Sequence, residues 1–439
     1  MTASHLLLIP LDKDMYGLIN PIFPNGIRII NKIQAEIVSC KVLSEDNSKL
    51  RELIDSHQLN IADVETFLKR TFDTTLLSTQ REKSRITLKE LDVWVHVTNN
   101  CNLNCHYCFV NKTTHTKDVL TIETANLFIE KIKDVIIENQ TENIYFRFSG
   151  GEPFLCFDII KEFIHNSQQI LNETATRASY TILTNLVLLK EDHIDYIIKE
   201  HININVSLDG IGSTHDTSRN DTKGFKSFSI IDKNINRLIQ NGIRPRIMAV
   251  LNTANHTGIL DLIKYVIDKN LTCRIGFIHG EPNDYCAFID IFKREIFPFL
   301  ISAARKGFDV CQNIQWGDYL IPYKSNYNCM AGLQSLLLHT NGDIYYCPQE
   351  IGNDAYHNIH NINSLSSLLK NFEFQDSDRL PACDSCLYRF ICSGGCPLDR
   401  AALPVFCTFS KEIIPLLLNI YAECRVYKLR TISIKGNLQ

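Results

Sequence analysis

At 439 residues the chain exceeds one ordinary hydrophobic core, so two or three domains are expected. With 45 basic against 49 acidic side chains its formal charge is −4, which excludes the basic footprint of a nucleic-acid-binding protein. No apolar run approaches a membrane span, and Leu6–Ile9 is too short for a signal segment and lacks its basic flank, so the chain is expected in the cytoplasm, with no membrane partner. Sixteen cysteines in such a chain argue for metal or cluster binding rather than a disulfide framework.

From the N-terminus, two strand-like runs, Leu6–Pro10 and Tyr16–Phe23, precede a third, Ile27–Ile30, after the turn Pro24-Asn25-Gly26. Helical patterns follow over Lys32–Val42, Asn47–His57 (with Ser44 as a cap) and Ile61–Leu77. Strands followed by three short helices resemble the winged-helix-like peptide-recognition domain of many peptide-modifying enzymes. The resemblance implies that an extended leader peptide adds a strand to an exposed sheet edge. A structural cap for the next domain is the alternative. The polar segment Ser78–Ser84 reads as a linker, which bounds the first domain at residues 1–85.

Strand and helix patterns then alternate over residues 86–310, the mark of parallel β/α units. Strands are expected at Val93–Val97, Ile144–Phe148, Tyr180–Leu183, Ile202–Leu208, Ile243–Leu251 and Cys273–His279. Helices are expected at Ile122–Glu138, Ile159–Leu171, Asp192–Lys199, Ile230–Gln240, Ile259–Asp268 and Phe288–Ala304. Six such units fit an α/β fold, a partial (β/α)6 TIM-type barrel whose working loops lie at the C-terminal strand ends.

The first of those loops holds Cys101, Cys105 and Cys108, spaced C-x3-C-x2-C. Three close thiolates can hold three irons of a [4Fe-4S] cube and leave the fourth open to a small molecule. A zinc site one ligand short is the alternative, although structural zinc sites are usually closed by four ligands in paired spacings. Ser149-Gly150-Gly151-Glu152-Pro153 follows the second strand. Its glycines let a ligand approach the backbone closely, and Glu152 is an acceptor for an ammonium group. Thr184-Asn185 ends the third strand and Ser207-Leu208-Asp209-Gly210 the fourth.

These segments in this order resemble the radical S-adenosylmethionine (SAM) superfamily. The resemblance implies that Gly150, Gly151, Glu152 and Pro153 bind the methionine amino group. It implies that Asn185, Ser207 and Asp209 contact the ribose and carboxylate, with Arg219 near the carboxylate and Tyr107 beside the adenine. Leu186 departs from the family's common Thr-Asn-Gly. The implied chemistry is reductive cleavage of SAM to a 5′-deoxyadenosyl radical that takes hydrogen from an unactivated carbon. His279 and Glu281, after the sixth strand, are candidates to face substrate; no catalytic acid or base is named by the sequence.

In the last third stand Cys329 and Cys347, then Cys383-x2-Cys386-x5-Cys392-x3-Cys396, then Cys407. Asn341-Gly342-Asp343 lies between the apolar runs Leu336–Leu338 and Ile344–Tyr346. This predicts a hairpin that brings Cys329 and Cys347 together. Ten of the sixteen cysteines thus fall into motifs. Of Cys40, Cys156, Cys273, Cys286, Cys311 and Cys424, most read as ordinary buried thiols. The tail Ile413–Val426 is an apolar helical pattern expected to pack on the barrel.

The seven C-terminal cysteines resemble the SPASM domain, over residues 311–439. The resemblance implies two auxiliary iron–sulfur clusters, one on Cys329, Cys347 and Cys396, the other on Cys383, Cys386, Cys392 and Cys407. Tyr323 stands where family members often supply a further ligand to the first, which leaves either an open iron or Cys311 reaching in from a longer loop. A pair of zinc knuckles is the alternative.

Within this family the N-terminal pattern implies a maturase of ribosomally made precursor peptides that installs a thioether or carbon–carbon crosslink, or a related backbone edit. Its partners would be the precursor peptide and a reductant protein such as flavodoxin or ferredoxin. Anaerobic sulfatase maturases and quinone-cofactor-maturing enzymes are the alternatives. Sulfatase maturases place an aspartate directly after the cysteine matching Cys347, where this chain has Pro348. A non-enzymatic iron–sulfur electron-transfer or scaffold protein would explain the cysteines but not Gly150–Pro153.

Overall fold

The computed structural model describes residues 7–11, 14–19, 27–43, 47–72, 88–110, 117–219, 224–278, 285–317, 319, 329–371, 380–383, 386, 388–392, 394–397 and 403–436. The chain folds into two compact units, neither of them one stretch of sequence. The first comprises Met1–Ser84, Asp284–Cys329 and Gln375–Gln439; the second comprises Arg85–Asn283 and Met330–Phe374.

The first unit opens with an antiparallel sheet in the order β1 (Leu7–Pro10), β2 (Met15–Ile19), β3 (Ile27–Asn31). Helices Lys32–Leu43, Ser48–Ser56 and Ile61–Phe72 follow, close to the expected spans. Asn31 starts the first of them. Its Oδ1 accepts from Gln34 N at 2.9 Å while its own N donates to Gln34 Oε1 at 3.1 Å, so two orphan donors of the helix end are satisfied at once. Leu18, Ile30, Ala35 and Val38 form the core here, with Phe67 and Phe72 packed against them. Later in the same unit, Phe288, Phe292, Phe409 and Trp316 of the short strand β10 (Ile314–Trp316) cluster with ring centroids 5.0–6.2 Å apart. Phe409 belongs to a long helix, Leu403–Gly436, that extends the predicted apolar pattern in both directions.

The second unit carries the expected alternation. Strands β4 (Glu90–His96), β5 (Asn143–Ser149), β6 (Arg177–Thr184), β7 (Asn203–Ser207), β8 (Arg246–Leu251) and β9 (Thr272–Phe277) pair in sequence order, all parallel. Residues 330–374 extend this sheet beyond β4. There β11 (Ser335–Leu338) pairs parallel with β4, and β12 (Asp343–Tyr345) and β13 (His357–Asn358) follow antiparallel. The turn between β11 and β12 is the predicted one, and Gly342 supplies its positive φ of 86°.

One sheet face is apolar because alternate residues point to it. Val93, Val95, Phe146 and Phe148 are buried, and Phe146 and Phe148 meet Phe163 of helix Phe157–Leu171 edge-on at 5.2 and 5.3 Å. The opposite face carries Asp92, Trp94, His96, Tyr145, Arg147 and Ser149. No helix among the described residues is long and apolar enough to cross a membrane.

Candidate active site

All the central motifs converge at the C-terminal ends of β4 to β8. The cysteine loop is rooted by Thr98, Asn99 and Asn100. Thr98 Oγ1 donates to Asp118 O at 3.1 Å, and Asn100 Nδ2 donates to Lys117 O at 3.0 Å. His96 and His339, at the ends of β4 and β11, each place Nε2 against Asn99 Oδ1, at 2.8 and 3.2 Å. Sequence reasoning missed this pair, since two single histidines 243 residues apart carry no local signal.

Gly150 and Gly151 pack onto that root. Gly151 N donates to Thr98 O at 2.6 Å, and Glu152 N donates to Asn100 O at 2.8 Å. A Cβ at Gly151 would lie 2.1 Å from Asn100 O, and one at Gly150 would lie 2.5 Å from Thr98 O. The glycines therefore admit another stretch of backbone, not only a ligand as the motif alone suggests. Pro153 begins the 3-10 turn Pro153–Cys156.

Glu152 is fully buried beneath this turn. Oε1 accepts from Thr184 Oγ1 at 2.6 Å and Phe154 N at 3.1 Å, and Oε2 accepts from Asn185 N at 2.8 Å. Burial outweighs these donors and pushes its carboxyl up to about 7. Asn185 is thereby held with Nδ2 donating to Asn102 Oδ1 at 2.9 Å and facing Cys101 Sγ at 3.9 Å. Leu186 adopts φ +62°, the left-handed conformation that explains why glycine is common at this position.

Asp209 is the hub of the opposite wall. Oδ2 accepts from Arg219 Nε at 2.8 Å and from Tyr107 Oη at 2.5 Å, while Oδ1 accepts from Val250 N at 2.9 Å. Its side chain is 0% exposed, and it holds Arg219 and Tyr107 in place. The guanidinium of Arg219 lies 5.3 Å from the Tyr107 ring centre. Burial opposes the charge on Arg219, but Asp209 and Tyr107 hold its pKa well above the usual arginine range. His215 and Asn255 secure the hub from behind. Asp209 N donates to His215 Nδ1 at 3.2 Å, and Asn255 Nδ2 donates to Asp209 O at 3.1 Å. Burial lowers His215 to about 4 and so keeps it neutral near pH 7. Ser207, half-buried at the end of β7, pairs with Met248.

The three thiols are half-buried. Burial chiefly pushes the Cys101 thiol up to about 12, and Glu152, Cys105 and Cys108 add to the rise. Cys101 Sγ accepts from Leu103 N at 3.4 Å as well as facing the Asn185 amide. Donors aimed at a sulfur stabilise a metal-bound thiolate, so this donor set suits an iron–sulfur cluster. His106 Nδ1 bonds to Ser218 O at 3.2 Å and ties the loop to the segment carrying Arg219.

In the first unit, Cys383, Cys386 and Cys407 all raise Cys392, which burial pushes up to about 12, so these four thiols lie in one neighbourhood. Cys329 and Cys396 belong to that unit and Cys347 to the other. Cys311 donates to Cys424 Sγ at 3.9 Å. Tyr323, His279 and Glu281 lie outside the described residues.

Residues 95–294 match the family model described as the Radical SAM superfamily. A cysteine-type anaerobic sulfatase-maturating enzyme of Clostridium novyi (strain NT) is 26% identical over 329 residues, 69% of this chain and 86% of that protein. The antilisterial bacteriocin subtilosin biosynthesis protein AlbA of Bacillus subtilis (strain 168) is 26% identical over 322 residues, 69% of this chain and 66% of that protein. Among solved structures, native anSMEcpe with bound AdoMet and Cp18Cys peptide superimposes with a TM-score of 0.61 at 20% identity. It covers 80% of this chain and 100% of that one. A three-cysteine loop at the first strand end, a glycine-rich turn at the second and a matching family model lead to one conclusion: residues 95–294 are a radical SAM domain.

Proposed function

We propose that this chain is a radical SAM maturase of a ribosomally made peptide, installing a thioether or carbon–carbon crosslink or a related backbone edit. Cys101, Cys105 and Cys108 hold a [4Fe-4S] cluster. Gly150, Gly151, Glu152, Pro153, Asn185, Ser207, Arg219 and Tyr107 form the SAM site, with Asp209 holding the last two. Once loaded, the site supplies a carbon radical able to take hydrogen from an unactivated C–H bond. Residues 1–85 bind a leader peptide as a winged-helix-like domain. Residues 86–310 form the barrel, and residues 311–439 carry two auxiliary clusters as a SPASM domain. Cys329, Cys347 and Cys396 serve the first, and Cys383, Cys386, Cys392 and Cys407 the second; a flavodoxin or ferredoxin supplies electrons. The observation that carries the radical chemistry is the pair of donors facing Cys101 Sγ, one of them from the same Asn185 that Glu152 positions.

Sulfatase maturation is the second reading, favoured by the relatives that bear that name. Pro348 after Cys347 weighs against it. Anaerobic protein, reduced and given SAM, is expected to form 5′-deoxyadenosine. Triple alanine replacement at Cys101, Cys105 and Cys108 is expected to abolish it and to lower bound iron. Retained SAM cleavage in that variant overturns the reading. A cysteine peptide from a sulfatase, set against short peptides encoded beside the gene, separates the two substrate classes.

The Glu152 carboxylate has about four lone-pair sites, three of which are occupied, leaving one for the SAM ammonium. An ammonium needs the ionised form, so SAM affinity is expected to weaken as pH falls below about 7, where Glu152 takes up a proton. Binding near pH 6.5 should release protons, which calorimetry in buffers of different ionisation enthalpy measures. For folding the sign is opposite. The native state holds this proton above the ordinary carboxylate value of 4.5, so the contribution of Glu152 to stability declines as pH rises from there to about 7. A pH-independent SAM affinity between 6 and 8 contradicts the assignment.

A further inference from the structure

The sheet face turned away from the helices holds an ion pair that the SAM site does not use. Arg147 Nε donates to Asp92 Oδ1 at 2.6 Å, with 30% and 31% of the two side chains exposed. The Arg147 guanidinium lies 5.8 Å from the centre of the Trp94 ring. Among the described residues neither of its terminal nitrogens has a hydrogen-bond partner. Arg219 contrasts with it, being 11% exposed and locked to Asp209. A half-exposed guanidinium fixed at Nε by a carboxylate and steadied by a ring presents a preset planar fork.

Register places that fork on the strand that leads to the glycine turn. His96 pairs with Ser149, and Trp94 pairs with Arg147. Ser149 directly precedes Gly150-Gly151, and strands rise about 3.4 Å per residue, so Arg147 lies about 7 Å down the strand from Ser149 on the same face. Arg246 of β8 is depressed by burial and by its neighbours Arg274 and Arg147, so three guanidiniums converge on this face.

We propose that Arg147 anchors the substrate by a carboxylate, held bidentately on Nη1 and Nη2 while Asp92 fixes Nε. The inference rests on the peptide-substrate reading above and deepens it to a peptide with an acidic group near the reacting carbon. Planar, two-bond recognition of a carboxylate is the geometry that arginine supplies and lysine does not.

Three small probes distinguish the source of the carboxylate. N-acetyl-glutamic acid amide carries it on the side chain, N-acetyl-glutamine carries it at the C-terminus, and N-acetyl-glutamine amide is neutral. Titrated calorimetrically into the anaerobic full-length enzyme with SAM bound, one charged probe is expected to bind at least about tenfold tighter than the neutral one. Arg147→Met should erase that preference, and Arg147→Lys, which keeps a cation against Asp92, should lose most of it while folding normally. Equal binding of all three probes, or an undiminished preference in Arg147→Lys, overturns the proposal. Peptide-free 5′-deoxyadenosine formation is measured alongside. If the wild-type enzyme forms none, the radical reading fails, while the probe preference still decides the role of Arg147.

Discussion

Asp209→Ala is expected to cost about 3–5 kcal/mol of stability, the range for removing one partner of a buried ion pair. Arg219 would keep its charge at 11% exposure with no carboxylate beside it. Tyr107 and Val250 N would lose the same acceptor, so three donors are orphaned by one substitution. Asp209→Asn preserves volume and one acceptor oxygen and should cost less. Both variants should bind SAM weakly, because Arg219 and Tyr107 lose their fixed positions. Denaturation midpoints under anaerobic conditions and equilibrium SAM binding measure the two effects. An Asp209→Ala protein with wild-type stability would show that the pair contributes nothing net.

The second large effect concerns Gly151. Alanine there would place its Cβ 2.1 Å from Asn100 O, a distance no backbone tolerates, so the root of the cysteine loop must move. Displacement of about 1 Å at a reacting centre costs on the order of 100-fold in rate. Gly151→Ala should therefore lower 5′-deoxyadenosine formation per bound iron by at least about 100-fold. Gly242→Ala is the control. Its φ is +79° but nothing lies within 4 Å of the added carbon, so only the conformational cost of about 1–2 kcal/mol is expected, with the rate retained. A similar loss in both variants would mean that general destabilisation, not the clash with Asn100, sets the rate.

The two glycines show how far a motif can be read. Gly150-Gly151-Glu152-Pro153 marks the loop from sequence because its composition suits close approach and an acceptor. What approaches was not legible, since the partner backbone at residues 98–100 belongs to another loop some 50 residues earlier. Leu186 is the converse case. It breaks the expected Thr-Asn-Gly, yet its backbone keeps the glycine-like conformation at φ +62°. Cys311 could be read as a cluster ligand by position, and its hydrogen bond to Cys424, 113 residues on, makes it one half of a thiol pair.

Period-two and period-3.6 apolar patterns, turn residues and cysteine spacing are local properties. They were enough to place the strands β4 to β9, the helices between them, the hairpin at Gly342 and the three-cysteine loop. Strand neighbours distant in sequence, the partners of buried charges and the division into units depend on which surfaces meet after collapse. So the parallel pairing of β11 with β4, the closure of Asp209 on Arg219 and Tyr107, the histidines on Asn99 and the exposed fork of Arg147 were decided only by tertiary structure. Each of these is a contact between segments whose own sequences carry no trace of the other.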